Sequence, residues 1–137
     1  MAMEEALVAR LAGAAPIAAF VVDGSRVSWF ERPNPSPALR LTKVSPGQEW
    51  TMAGPDGLDG PRVQITAFAN DPDVVAALAR AVRTEMQRTV PVTVAGTLFH
   101  PASLELERWP EPDDLDGGER IYCVVQDFEF YHQPQEG

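Results

Sequence analysis

The stretch from Asp71 to Gln87 constrains the fold more tightly than any other part of the chain. Asp71 is placed to cap a helix, Pro72 occupies the first helical position and Asp73 adds negative charge to the first turn. At about 100° per residue, Val74, Val75, Leu78, Val82 and Met86 form one apolar stripe, while Arg80, Arg83 and Gln87 fall opposite. Glu85 intrudes beside the apolar stripe and is the one misfit. Such a helix is stable only if its stripe is covered, and burial contributes about 1.5 to 3 kcal/mol per large side chain before entropy is counted. The covering surface is announced just upstream. Arg62 to Phe68 alternates Val63, Ile65 and Ala67 with Gln64 and Thr66, the period of a half-buried strand.

The other elements follow the same two periods. Ala2 to Ala12 is predicted to be a helix, with Met3, Leu7, Val8 and Leu11 at helical spacing and Gly13 to stop it. Pro16 to Val21 adds a short helical turn, and Asp23-Gly24-Ser25 turns the chain into a strand over Val27 to Phe30. Leu39 to Val44 alternates as a second strand. Ser103 to Trp109 sets Leu104 and Leu106 against Glu105 and Glu107. Arg120 to His132 is long and apolar on both faces (Tyr122, Val124, Phe128, Phe130 against Ile121, Cys123, Val125, Tyr131), the pattern of a central strand. Pro110 to Gly118 is expected to be an exposed acidic hairpin loop, and Gln133 to Gly137 a frayed tail. The predicted order is α-β-β-β-α-β-β. That is a single α+β domain with a mainly antiparallel sheet, its strand pairs joined by hairpin-length loops, and two helices packed on it.

Thirteen prolines in 137 residues punctuate this order rather than dissolve it. Pro33, Pro35 and Pro37 bar Arg32 to Pro37 from a central strand, so this segment is a linker or crosses a sheet edge. With 45% hydrophobic residues the chain can fill a core. Twenty acidic and 11 basic residues give a net charge of −9, and the sequence pI is about 4.6. Both argue against gripping nucleic acid through phosphates and against docking to an anionic membrane. No apolar run reaches the roughly 18 to 20 residues of a membrane span. Glu4 and Glu5 stand where a secretory signal would carry basic residues, so the expectation is an unprocessed intracellular chain.

Residues for catalysis are sparse. His100 and His132 are far apart in sequence and each ends a strand-like run; Cys123, the one cysteine, falls within a strand, where a structural thiol is expected. Phosphate-loop, dinucleotide and zinc-protease motifs are absent. Asp56-Gly57-Leu58-Asp59-Gly60 departs from a calcium loop because Pro61 and a strand intervene. The expectation is therefore no catalytic residue, no metal and no cofactor. More informative is the connection from Ser45 to Gly60, about 16 residues where a hairpin uses roughly 2 to 5. It carries Trp50, Met52 and Leu58. Either it folds back on its own domain, or it is an arm whose Trp50, Met52 and Leu58 bury against a neighbouring subunit.

Several strings, spread over nearly the whole chain, resemble the tail-terminator or tail-completion family of long-tailed bacteriophages. They are Glu4-Glu5-Ala6-Leu7, Arg26-Val27-Ser28-Trp29, the Pro-flanked strand from Ala38 to Val44, and the loop Gly54-Pro55-Asp56-Gly57-Leu58-Asp59-Gly60-Pro61. Arg62-Val63-Gln64-Ile65 running into Phe68-Ala69 and the Ala/Arg-rich helix follow, and Val125-Gln126-Asp127-Phe128-Glu129-Phe130-Tyr131-His132 closes the set. Thr66, where an acid is expected, and the Pro33 to Pro37 insertion depart from the pattern. The resemblance implies a structural virion protein, not an enzyme. Its copies would form a ring, typically a hexamer, on the head-proximal end of the tail tube. Such a ring stops tube growth and joins the tail to the head. Its implied partners are further copies of itself, the major tail tube protein and the head–tail connector or stopper of the neck, with genomic DNA passing through unbound. Six copies at −9 each would carry −54, and acids lining the channel would repel that DNA. Another connector or neck protein, or a small ligand-binding or enzymatic domain, are the alternatives.

Overall fold

The computed structural model describes residues 3–21, 26–33, 36–45, 60–114 and 118–134. The predicted central helix is α3 (Pro72–Met86), capped as its sequence demands: the Asp71 carboxylate accepts from the Asp73 amide at 2.7 Å. Val75, Leu78, Val82 and Met86 are buried. Ala79 joins them, and Val74 is half-buried at the rim. Helix α1 (Met3–Gly13) buries Met3, Ala6, Leu7 and Leu11, and is followed by the short α2 (Ala15–Ala18).

The helices cover one face of a six-stranded sheet. Its strands are β1 (Val27–Trp29), β2 (Ala38–Ser45), β3 (Arg62–Ala69), β6 (Ser103–Arg108), β7 (Asp113–Asp114) and β8 (Arg120–Glu129). They run in the order β1-β2-β3-β8-β6, with β7 also paired to β8. Val63, Ile65 and Ala67 of β3 and Val124 and Phe128 of β8 meet Leu7, Leu11, Ile17, Leu78 and Val82 in one core. The α+β class and the mainly antiparallel sheet are as expected.

Several details differ from the sequence reading. The strand pairs are not all hairpins, because β1 runs parallel to β2 at the sheet edge, Val27 opposite Leu39. The segment between them, including the cis Ser36–Pro37 bond, crosses back along the edge. Val27 to Phe30 ends one residue early: Phe30 has φ +71° and is 66% exposed. The long last strand is also two strands. After β8, the Phe130 amide donates to the Pro61 carbonyl at 3.3 Å and His100 N–H donates to the Tyr131 carbonyl at 3.0 Å. These bonds turn the chain into β9 (His132–Pro134), so Gln133 and Pro134 are ordered rather than frayed. Strand β9 completes a second antiparallel sheet, β4-β5-β9, with β4 (Val92–Val94) and β5 (Thr97–Phe99). The sequence reading missed that sheet. The acidic hairpin loop holds a short rung as well, β7, with Asp113 opposite Ile121.

Candidate interaction surface

Strand alternation gives the main sheet two unlike faces. Odd positions of β3 and even positions of β8 point at the helices; the complementary set points away from them. In register, that second face reads Arg40–Thr66–Val125–Arg108 across β2, β3, β8 and β6. The next row is Thr42–Gln64–Asp127–Leu106, and Ala38–Phe68–Cys123 flanks the first on its other side. At about 4.8 Å per strand, Arg40 and Arg108 stand roughly 14 Å apart at their backbones.

Arginine dominates the surface. The guanidinium of Arg40 lies 5.1 Å from the centre of the Phe68 ring and that of Arg32 lies 5.6 Å from it, two cation–π contacts on one buried phenylalanine. Arg62 faces Asp127 at 3.6 Å, and Gln64 donates to the same carboxylate at 3.1 Å. Arg108 and Leu106 are exposed at the edge. Beneath them Thr66 is 1% exposed, and its hydroxyl has no hydrogen-bond partner; the Arg40 and Arg62 Nε atoms are likewise buried without one. Buried donors are ordinarily satisfied, so this face contains polar groups whose acceptors lie outside the described residues of one chain. Cys123 also belongs here. Burial raises its thiol pKa, and the nearby Asp113 raises it further, as expected for a structural thiol rather than a nucleophile.

The helix-covered face explains the misfit in α3. Arg10 reaches across from α1, donating from Nε to the Glu85 carboxylate at 2.9 Å and from Nη2 to the Glu85 carbonyl at 2.6 Å, and it stacks 5.2 Å from the Phe99 ring centre. Arg88 approaches the same carboxylate at 3.6 Å. A cleft of about 300 Å³ opens beside them, lined by Ala9, Arg10, Glu85, Arg88, Val92 and Val94 among others. On the other flank of α3, Gln126 donates to the Ala79 carbonyl at 3.1 Å and to Glu107 at 2.9 Å. That second bond, above all, holds the Glu107 carboxyl below its ordinary pKa.

Of the residues singled out in the sequence, Trp50, Met52 and Leu58 lie outside the described residues, as does most of the Asp56 to Gly60 turn. The histidines, distant in sequence, come together: His132 pairs with Phe99 across β5 and β9, and His100 Nε2 lies 3.3 Å from the Gln133 side-chain oxygen. Among the described residues no three His, Cys, Asp or Glu side chains cluster as metal ligands would. The arginine face was missed, although its parts were visible as the polar positions of alternating strands. Only the register gathers them.

No protein-family model and no curated protein matches the chain. Among solved structures, a chain from the virion of a native gene transfer agent particle aligns over 96% of this chain and 95% of its own length, with TM-score 0.60 and 14% identity. At that identity the likeness is one of fold. Another solved chain aligns over 92% of this one at 17% identity, with a TM-score of 0.43 that is too low to support an argument.

Proposed function

We propose that this chain, which shares its fold with a chain of a gene transfer agent virion, is a structural protein of a phage-like particle. In this reading it forms a ring, a hexamer in its simplest form, that caps the head-proximal end of the tail tube. The ring halts tube polymerisation and presents the surface that meets the neck. The observation carrying the reading is the alignment of nearly the whole of both chains at TM-score 0.60, together with the family resemblance of the sequence. A full-length match leaves little room for an added catalytic domain in either chain.

The mechanism is one of interface geometry. A head-to-tail contact between identical subunits closes into a ring when its rotation permits, and the two faces of that ring differ. One face can therefore complete the tube while the other receives the connector. Trp50, Met52 and Leu58 are proposed to contribute to these contacts as an arm between subunits. The test is deletion of the gene followed by electron microscopy of the particles. Tubes of uncontrolled length and unjoined heads are expected. Tails of normal length with heads unjoined would instead identify a neck protein, and normal particles would overturn the reading.

A further inference from the structure

We infer that the helix-free face of the sheet, centred on Arg40, Thr66 and Arg108, docks the acidic edge segment carrying Glu111 and Asp113 of a second copy of this chain. This rests on the ring reading and supplies it with a contact.

Three observations lead there. The first is unmet hydrogen bonding. Arg40 Nε, Arg62 Nε and the Thr66 hydroxyl are buried without partners on this one face. Guanidinium groups only donate, so what satisfies them must accept. The second is charge. Arg32, Arg40, Arg62 and Arg108 gather around a single buried carboxylate, Asp127, in a chain whose net charge is −9. Planar arginine forks pair best with carboxylates or phosphates. The Phe68 ring beneath Arg32 and Arg40 limits their rotamers, which lowers the entropy lost on binding.

The third observation selects the partner. A chain with this surplus of acid repels a nucleic-acid backbone as a whole, yet offers many carboxylates to another copy of itself. Glu111 and Asp113 are exposed at the sheet edge where β7 joins β8, whereas Asp114 is already engaged by Arg120 at 2.9 Å. An arginine face meeting a neighbour's acidic edge is a heterologous contact, the kind that propagates round a ring. The exposed Leu106 beside Arg108 would lie within the contact.

The test is charge exchange, read by sedimentation velocity of the full chain at low ionic strength over a wide concentration range. The face variant is Arg40→Glu with Arg108→Glu; the edge variant is Glu111→Arg with Asp113→Arg. Each is expected to weaken self-association at least tenfold. The chain bearing all four substitutions should return to within a few-fold of the wild type. Arg108→Glu alone, at an exposed position, serves as a second face variant, with thermal melting to establish that it folds. A wild-type chain that remains monomeric throughout, or variants that associate unchanged, overturns the inference. So does retention of duplex DNA by the wild type that the face variant loses, which would indicate a phosphate partner. The ring reading is judged separately, by where the wild-type chain sits in the particle. A ring at the tube end with charge-insensitive association would leave that reading intact and refute this contact.

Discussion

A single ion pair joins the first helix to the last turn of α3. Arg10 and Glu85 side chains are 2% and 12% exposed, and the arginine has the Phe99 ring as one wall. Removing one partner of a buried pair strands the other charge, so Glu85→Ala is expected to cost about 3 to 5 kcal/mol in urea unfolding. Arg10→Ala should cost less, because Arg88 still faces Glu85 at 3.6 Å. Replacing both together, Arg10→Met with Glu85→Leu, should recover most of the loss, since no buried charge is left unpaired. Glu107 makes a pH-dependent contribution. Its pKa is lowered chiefly by the Gln126 hydrogen bond, so its stabilising effect is complete above the ordinary glutamate value of 4.5 and is lost as pH falls below it. Glu107→Gln should flatten that part of the acid-unfolding curve, and an unchanged curve would remove Glu107 from the account.

At the scale of elements, the second sheet depends on an unusual turn. Val94 pairs with Thr97, leaving Ala95 and Gly96 as a two-residue loop with φ of +49° and +80°. These are the positive dihedrals of a type I′ hairpin. Alanine is disfavoured there by its Cβ, so Ala95→Gly or Ala95→Asn is expected to stabilise the protein by about 0.5 to 1 kcal/mol, measured as a shift in denaturation midpoint at constant slope. The same alanine hides the hairpin from a sequence reading, which looks for Asn-Gly or Asp-Gly. Helix α3 is the opposite case, because cap, proline and stripe all agree. Leu78 is fully buried, so Leu78→Ala should cost about 2 to 5 kcal/mol. Asp71→Ala should cost about 1 kcal/mol through the lost cap.

At the scale of the whole molecule, the expectations concern assembly rather than folding. Trp50→Ala is expected to leave the melting temperature of the free chain unchanged while impairing incorporation into particles. An equal loss of thermal stability would instead make Trp50 a core residue of its own domain. The net charge of −9 opposes any assembly of identical copies, so subunits must meet where local charge is reversed. The arginine face is such a place. If the subunits pair there, acids elsewhere on the surface remain free to line a channel, and a basic or apolar lumen in a particle reconstruction would contradict that arrangement.

The sequence by itself determined the elements whose signals are local. Period-2 alternation in Arg62 to Phe68, period-3.6 apolarity and the cap of α3, and the bar that three prolines place on a central strand all arise from neighbours within a few residues. The tertiary structure decided everything that depends on partners far along the chain. It converted Glu85 from a misfit into half of an ion pair with Arg10, 75 residues away. It also broke the last strand at Phe130, because the Pro61 carbonyl and the His100 amide offered bonds in two different sheets. And it aligned Arg40, Thr66, Val125 and Arg108 in one row. Register is a relation between strands, and no property of any one strand contains it.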